Sequence, residues 1–138
     1  MKISARIDYA CRALLELALH WPNHDPLSIE TIALRQQIPT KFLTQILVDL
    51  KRIGCVASVR GKNGGYRLAK APDTIRLNAV IEGFSGNETQ QRGEKENSFF
   101  APIWKEIDRA HQETMAKFSL EDICNRKRGA DNSLTFQI

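Results

Sequence analysis

Residues Ile38 to Lys70 read IPTKFLTQILVDLKRIGCVASVRGKNGGYRLAK. At 100° per residue the first part is a helix with two opposite faces. Leu43, Ile46, Leu47 and Leu50 share one side. Lys41, Thr44, Gln45, Val48 and Arg52 share the other. The apolar stripe anchors the helix to a core. The polar face offers hydroxyl, amide and cationic groups suited to phosphates and base edges. Gly54 is the expected left-handed cap of this helix.

Two short strands follow, expected at about Val56 to Arg60 and Gly65 to Ala69. The link between them is Gly61-Lys62-Asn63-Gly64-Gly65, and Asn-Gly is a hairpin signal because both residues tolerate positive φ. The hairpin forms a wing whose tip has little side-chain bulk, so its backbone can approach a phosphate or a narrow groove. Arg60 and Lys62 flank that tip.

Charge agrees with this reading. Between positions 41 and 70 stand Lys41, Lys51, Arg52, Arg60, Lys62, Arg67 and Lys70 against Asp49 alone, so seven minus one gives +6. The whole chain carries +4, and the remainder therefore sums to −2. The positive charge is a local patch of the kind that meets nucleic acid.

Helix 1 is expected from about Ile7 to Trp21, with Ile7, Ala10, Cys11, Leu14, Leu15, Leu17 and Ala18 on its apolar face. Pro22 to Pro26 break it. Ser28 serves as N-cap of a short helix 2, from Ile29 to about Gln37, with Ile32 and Ala33 inward. Thr40 can cap helix 3. Helix, short turn and helix make a helix-turn-helix, with helix 3 as the reader.

Beyond Ala71-Pro72, the apolar residues Ile75, Leu77, Val80 and Ile81 indicate a fourth short helix. Gly86 to Ser98, GNETQQRGEKENS, holds no aliphatic residue and reads as a loop. Pro102 then opens a long helix over about 102–118. Its less polar side includes Trp104, Ile107, His111, Met115 and Phe118. Such a helix either folds back on its own domain or pairs with the same helix of a second chain. Ser119 with Asp122 resembles a capping box for a last turn around Leu120 to Cys124.

The expected organisation is a winged helix-turn-helix domain over 1–82, a flexible loop over 83–101, a dimerisation helix over 102–124 and a polar tail over 125–138. The fold class is mainly α with a small β-hairpin wing. A hydrophobic share of 42% supports a packed core. The longest apolar run is far short of a membrane span, and the opening MKISARIDYA lacks the apolar h-region of a secretory signal. Cys11, Cys55 and Cys124 are odd in number and scattered, which fits a reducing cytoplasm better than a disulfide framework.

The residues Ile7-Asp8-Tyr9-Ala10, the run LTQILVDLKRIGCVASVRGKNGGYRLAK and the long helix from Pro102 resemble the IscR/NsrR/CymR group of winged-helix transcription regulators, the Rrf family. The resemblance implies a cytoplasmic homodimer, more often a repressor, on a palindromic operator of double-stranded DNA. It implies base contacts from the start of helix 3, here Thr40, Lys41, Phe42, Thr44 and Gln45, and a minor-groove arginine matching Arg60. Phe42 serves equally for a thymine-methyl contact or for helix packing. Lys51, Arg52 and Arg67 are expected on the DNA backbone, with Ser28, Lys62, Asn63 and Gly64 completing the DNA-facing set.

One departure bears on the signal. Iron–sulfur members of the family hold a 2Fe–2S or 4Fe–4S cluster through three cysteines in the loop before the long helix. Here that loop is GNETQQRGEKENSFFAP, without cysteine or histidine. Asp8 matches a carboxylate ligand of the nitric-oxide-sensing members, but it also suits a helix N-terminus by charge alone. No cofactor and no metal site is expected. A regulatory protein partner, or thiol chemistry at Cys124 or Cys55, stands as the alternative source of the signal. No nucleophile–base pair or carboxylate pair marks an enzyme.

Overall fold

Residues 3–85 and 99–136 are described by the computed structural model. Ser4 caps helix α1, Ala5–His20, by accepting from the Ile7 amide at 3.2 Å. Ala10, Ala13, Leu14, Leu17 and Ala18 recur at helical spacing and are buried. Ser28 caps α2, Ile29–Gln36, through the Thr31 amide at 3.1 Å. That helix ends at Gln37, in the left-handed region with φ 54°. This turn swings the chain into α3, Thr40–Arg52.

Thr40 is not the cap of α3 that its residue type invites. Pro39 holds the capping position without a side-chain bond, and its carbonyl accepts from the Phe42 and Leu43 amides at 3.0 and 3.1 Å. Proline fixes φ at −59° and leaves Thr40 as the first helical residue. The other end matches expectation. The Gly54 amide donates to Lys51 and the Cys55 amide to Leu50, both at 3.0 Å, with φ +86° at Gly54. That is a Schellman closure.

Strands β1, Val56–Val59, and β2, Gly65–Leu68, pair antiparallel with Val56 opposite Leu68 and Val59 opposite Gly65. Each is a residue shorter than the expected strand. The turn between them differs from the one Asn-Gly implies. Positive φ falls at Gly61 and Gly65, not at Asn63 or Gly64. The Gly64 amide closes the turn on the Gly61 carbonyl at 3.0 Å. Gly64 is required for space instead: a Cβ there would stand 2.2 Å from the Val59 carbonyl oxygen.

A 3-10 turn, Pro72–Thr74, leads into α4, Leu77–Ser85. The long helix α5 spans Ala101–Ala116. The chain then returns to the domain. The Leu77 amide donates to the Phe118 carbonyl at 2.8 Å and the Leu120 amide to the Ile75 carbonyl at 2.9 Å. Ser119 and Asp122 form the reciprocal capping box, with both backbone–side-chain bonds at 3.1 Å. The helix it opens, α6, runs over Leu120–Phe136.

The length of α6 corrects the expected short turn and polar tail. Leu120 and Cys124 join the core cluster formed by α1, α2, α3 and the wing. The polar continuation stays helical because Lys127 and Asp131 pair four residues apart at 3.1 Å and no proline interrupts. An exposed polar helix carries no apolar periodicity, so the pattern that reveals core helices is missing there. The expected loop core, 86–98, lies outside the described residues.

Candidate nucleic-acid interface

The reader face is set by what α3 buries. Leu43, Ile46, Leu47 and Leu50 are sealed against α1 and the rest of the core, which leaves Lys41, Phe42, Thr44, Gln45 and Val48 exposed on one continuous side. Thr40 is exposed at its start. The Thr44 hydroxyl donates back to the Thr40 carbonyl at 3.0 Å, so its lone pairs remain outward as acceptors. Phe42 is both exposed and packed: its ring stacks 6.5 Å from Tyr9 of α1, with the Lys41 ammonium 5.1 Å from its centre.

Asp49 is the feature that the sequence alone does not disclose. The single anion of the 41–70 segment is only 7% exposed. Its Oδ2 accepts from the Arg6 guanidinium of α1, and Arg52 lies 3.7 Å from its Oδ1. All seven cations of the segment, by contrast, are exposed. The exposed charges of the segment are therefore all positive, its one carboxylate being buried and paired with arginines. A helical-wheel reading places Asp49 only at the edge of the apolar stripe. Its partner, Arg6, lies 43 positions away in sequence.

The wing sits at a fixed place beside the reader. Lys51 Nζ donates to Ser58 Oγ at 2.8 Å, tying the end of α3 to β1. Arg60, Gly61, Lys62 and Asn63 are exposed at the tip, and Arg67 is exposed on β2. The Leu27 backbone bridges to Tyr66, which adds a third extended segment to the hairpin. A shallow depression between wing and α2 is lined by residues that include Ser28, Ser58, Gly61, Tyr66 and the exposed carboxylate of Glu30. Ser28 thus borders the interface, but its hydroxyl is occupied in capping α2.

The second surface of interest is α5. Trp104 is 54% and Ile107 42% exposed, and His111 is exposed as well. Phe100 meets Phe99 edge-on, with ring centres 5.7 Å apart, and stacks on Trp104 at 5.9 Å. Met115 differs from this set, since it is buried within its own chain. Phe118 lies beyond the end of α5, half-buried, with the Arg126 guanidinium 4.9 Å over its ring.

Donor chemistry for a metal or cluster is poor. Among the described residues no group of three or more His, Cys, Asp or Glu could hold a metal ion. Cys11, Cys55 and Cys124 lie on α1, after α3 and on α6. Burial, reinforced by the nearby Asp8 carboxylate, pushes the Cys11 thiol up to about 11. Burial also raises Cys55, against the pull of Lys70, and Cys124, against that of Arg128. Asp8 is engaged with Arg12 at 2.7 Å in the first turn of α1. Among the described residues, no helix is long and apolar enough to cross a membrane.

Comparison with known proteins places the chain among transcription regulators. Residues 3–126 match the family model described as "Rrf2: Iron-dependent Transcriptional regulator". The chain is 33% identical over 129 residues to an HTH-type transcriptional regulator of Synechocystis sp., covering 89% of this chain and 87% of that one. It is 31% identical over 136 residues to the HTH-type transcriptional regulator IscR of Erwinia tasmaniensis, covering 92% and 81%. Among solved structures, IscR of T. potens superposes with a TM-score of 0.80 at 28% identity, covering 94% of this chain and 90% of that one. CymR, the global cysteine regulator of B. subtilis, gives 0.74 at 28% identity, covering 91% and 98%.

Proposed function

Since the chain belongs to the Rrf2 family of DNA-binding transcriptional regulators, we propose that it is a cytoplasmic homodimeric repressor of a palindromic operator. Lys41, Thr44 and Gln45 read base edges in the major groove. Arg60 and Lys62 reach the adjacent minor groove or its phosphates. Lys51, Arg52 and Arg67 fix position on the backbone. The observation that carries this reading is the withdrawal of Asp49, which leaves the seven cations of the 41–70 segment exposed and its one carboxylate buried.

Dimerisation rests on α5. This helix packs on α4 of its own chain but leaves Trp104 and Ile107 in water, and it gains by burying them against its own copy. Two readers one DNA turn apart, ~34 Å, then bind a palindrome together. Met115, already covered, serves the protomer's own core.

The signal does not pass through an iron–sulfur cluster of the family's usual type. Three thiols on separate elements, two of them buried, and a loop without cysteine or histidine do not fit one. The same burial opposes a thiol switch at Cys55 or Cys124. A regulatory protein partner is then the alternative left for the signal. The test is selection of operator from random duplex DNA, with mass measured in solution and an anaerobic absorption spectrum. A palindromic consensus, a dimer and a colourless protein are expected. A monomer without duplex preference would overturn the DNA reading, and a brown preparation containing iron and sulfide would overturn the cluster-free one.

A further inference from the structure

Asp49 does more than leave the surface. Its second oxygen, Oδ1, lies 3.4 Å from Gln45 Nε2, one helical turn back on the reader face. A carboxylate only accepts hydrogen bonds, whereas a carboxamide both donates and accepts. The Gln45 amide can therefore meet Asp49 in one sense alone, nitrogen inward. Its carbonyl oxygen and second N–H are then presented outward in a fixed order. Bidentate reading of adenine needs one donor and one acceptor in a set order, so a flipped amide would offer the wrong pattern.

The carboxylate is itself immobilised. Arg6 of α1 donates to Oδ2, the oxygen that Gln45 does not meet. The Arg6 guanidinium lies 4.9 Å over the ring of Phe84, near the end of α4. Three helices thus fix a group that touches no DNA but faces a residue that does in the reading above.

We propose that Asp49, clamped by Arg6, is the positioning residue that sets the direction of the Gln45 amide and so the base preference at one base pair of each half-site. The inference rests on the assignment of Gln45 to base readout. Asp49→Asn tests it. Asparagine has the same shape but both donates and accepts, so it permits either Gln45 orientation.

Operator selection from random duplex DNA is run on wild type, Gln45→Ala, Asp49→Asn and the double variant, as full-length protein. The expected result is a preference of roughly fivefold or more at one base pair in wild type. It flattens in Asp49→Asn, whereas the preferences at the other base pairs are kept. Asp49→Asn adds nothing to the profile in a Gln45→Ala background. A merely structural role would instead weaken all sequences alike. If Gln45→Ala changes the preference and Asp49→Asn does not, the positioning role is overturned and the reader assignment survives. If Gln45→Ala changes nothing, Gln45 is not a reader and both statements fall. Should Asp49→Asn not fold, Arg6→Gln keeps the carboxylate but removes its partner on Oδ2, leaving Arg52 near Oδ1. It is expected to flatten the same base pair, and unchanged preference there overturns the proposal.

Discussion

Leu27 and Tyr66 exchange both backbone hydrogen bonds: the Leu27 amide donates to Tyr66 at 2.9 Å and the Tyr66 amide to Leu27 at 2.8 Å. The wing is thereby attached to the segment just before the helix-turn-helix. Gly65 makes that approach possible, because a Cβ on it would stand 2.2 Å from the Leu27 carbonyl oxygen. Backbone cannot yield as a side chain tip can. Gly65→Ala should cost about 1–3 kcal/mol, the range for overpacking, and displace the wing. Denaturant unfolding with operator titration checks this. Gly54→Ala is the contrast: it has open space but φ +86°. It should lose about 1–2 kcal/mol from left-handed strain and keep its affinity when folded. Equal behaviour of the two variants in DNA binding would remove the Leu27 anchor from the account.

Arg60 follows β1 at the edge of the wing tip and is exposed. Arg60→Ala should weaken operator and non-operator duplex alike and lower the slope of log K against log salt by about one. Titrations at several salt concentrations read this directly. An unchanged slope would place Arg60 away from phosphate.

The exposed side of α5 gives the oligomer prediction. Trp104→Glu with Ile107→Glu places two carboxylates where a partner helix would pack. Sedimentation should show a monomer, and binding to the full palindrome should fall towards that of a half-site. A double variant that remains dimeric with full affinity would mean that another surface joins the chains.

The Cys11 thiol supplies a pH dependence. Its pKa is near 9 in the unfolded chain and about 11 in the folded one, raised by burial and by Asp8. The contribution to stability is whole below pH 9. Above it the unfolded chain releases its proton first, so stability falls as pH climbs from about 9 through 11. Denaturant midpoints at pH 8, 9 and 10 should decline, and Cys11→Ala should lose that part of the decline. In the native state at pH 8, all three thiols should react slowly with iodoacetamide. Rapid labelling of Cys55 or Cys124 would restore the thiol-switch reading.

The sequence by itself determined most of the elements: the two faces of α3, the Ser28 and Gly54 caps, the hairpin and the Ser119–Asp122 box. These are local, written in periodicity and in side chains that bond a few positions away. The extent of α6 was not legible, because a solvated polar helix has no apolar stripe. Nor was the true hairpin turn, since the glycines at 64 and 65 answer to carbonyls of Val59 and Leu27 rather than to φ alone. Only the tertiary structure decided which charges face outward. Asp49 and Arg6 meet across 43 positions, and burial of a carboxylate depends on a partner that the intervening chain must fold to deliver.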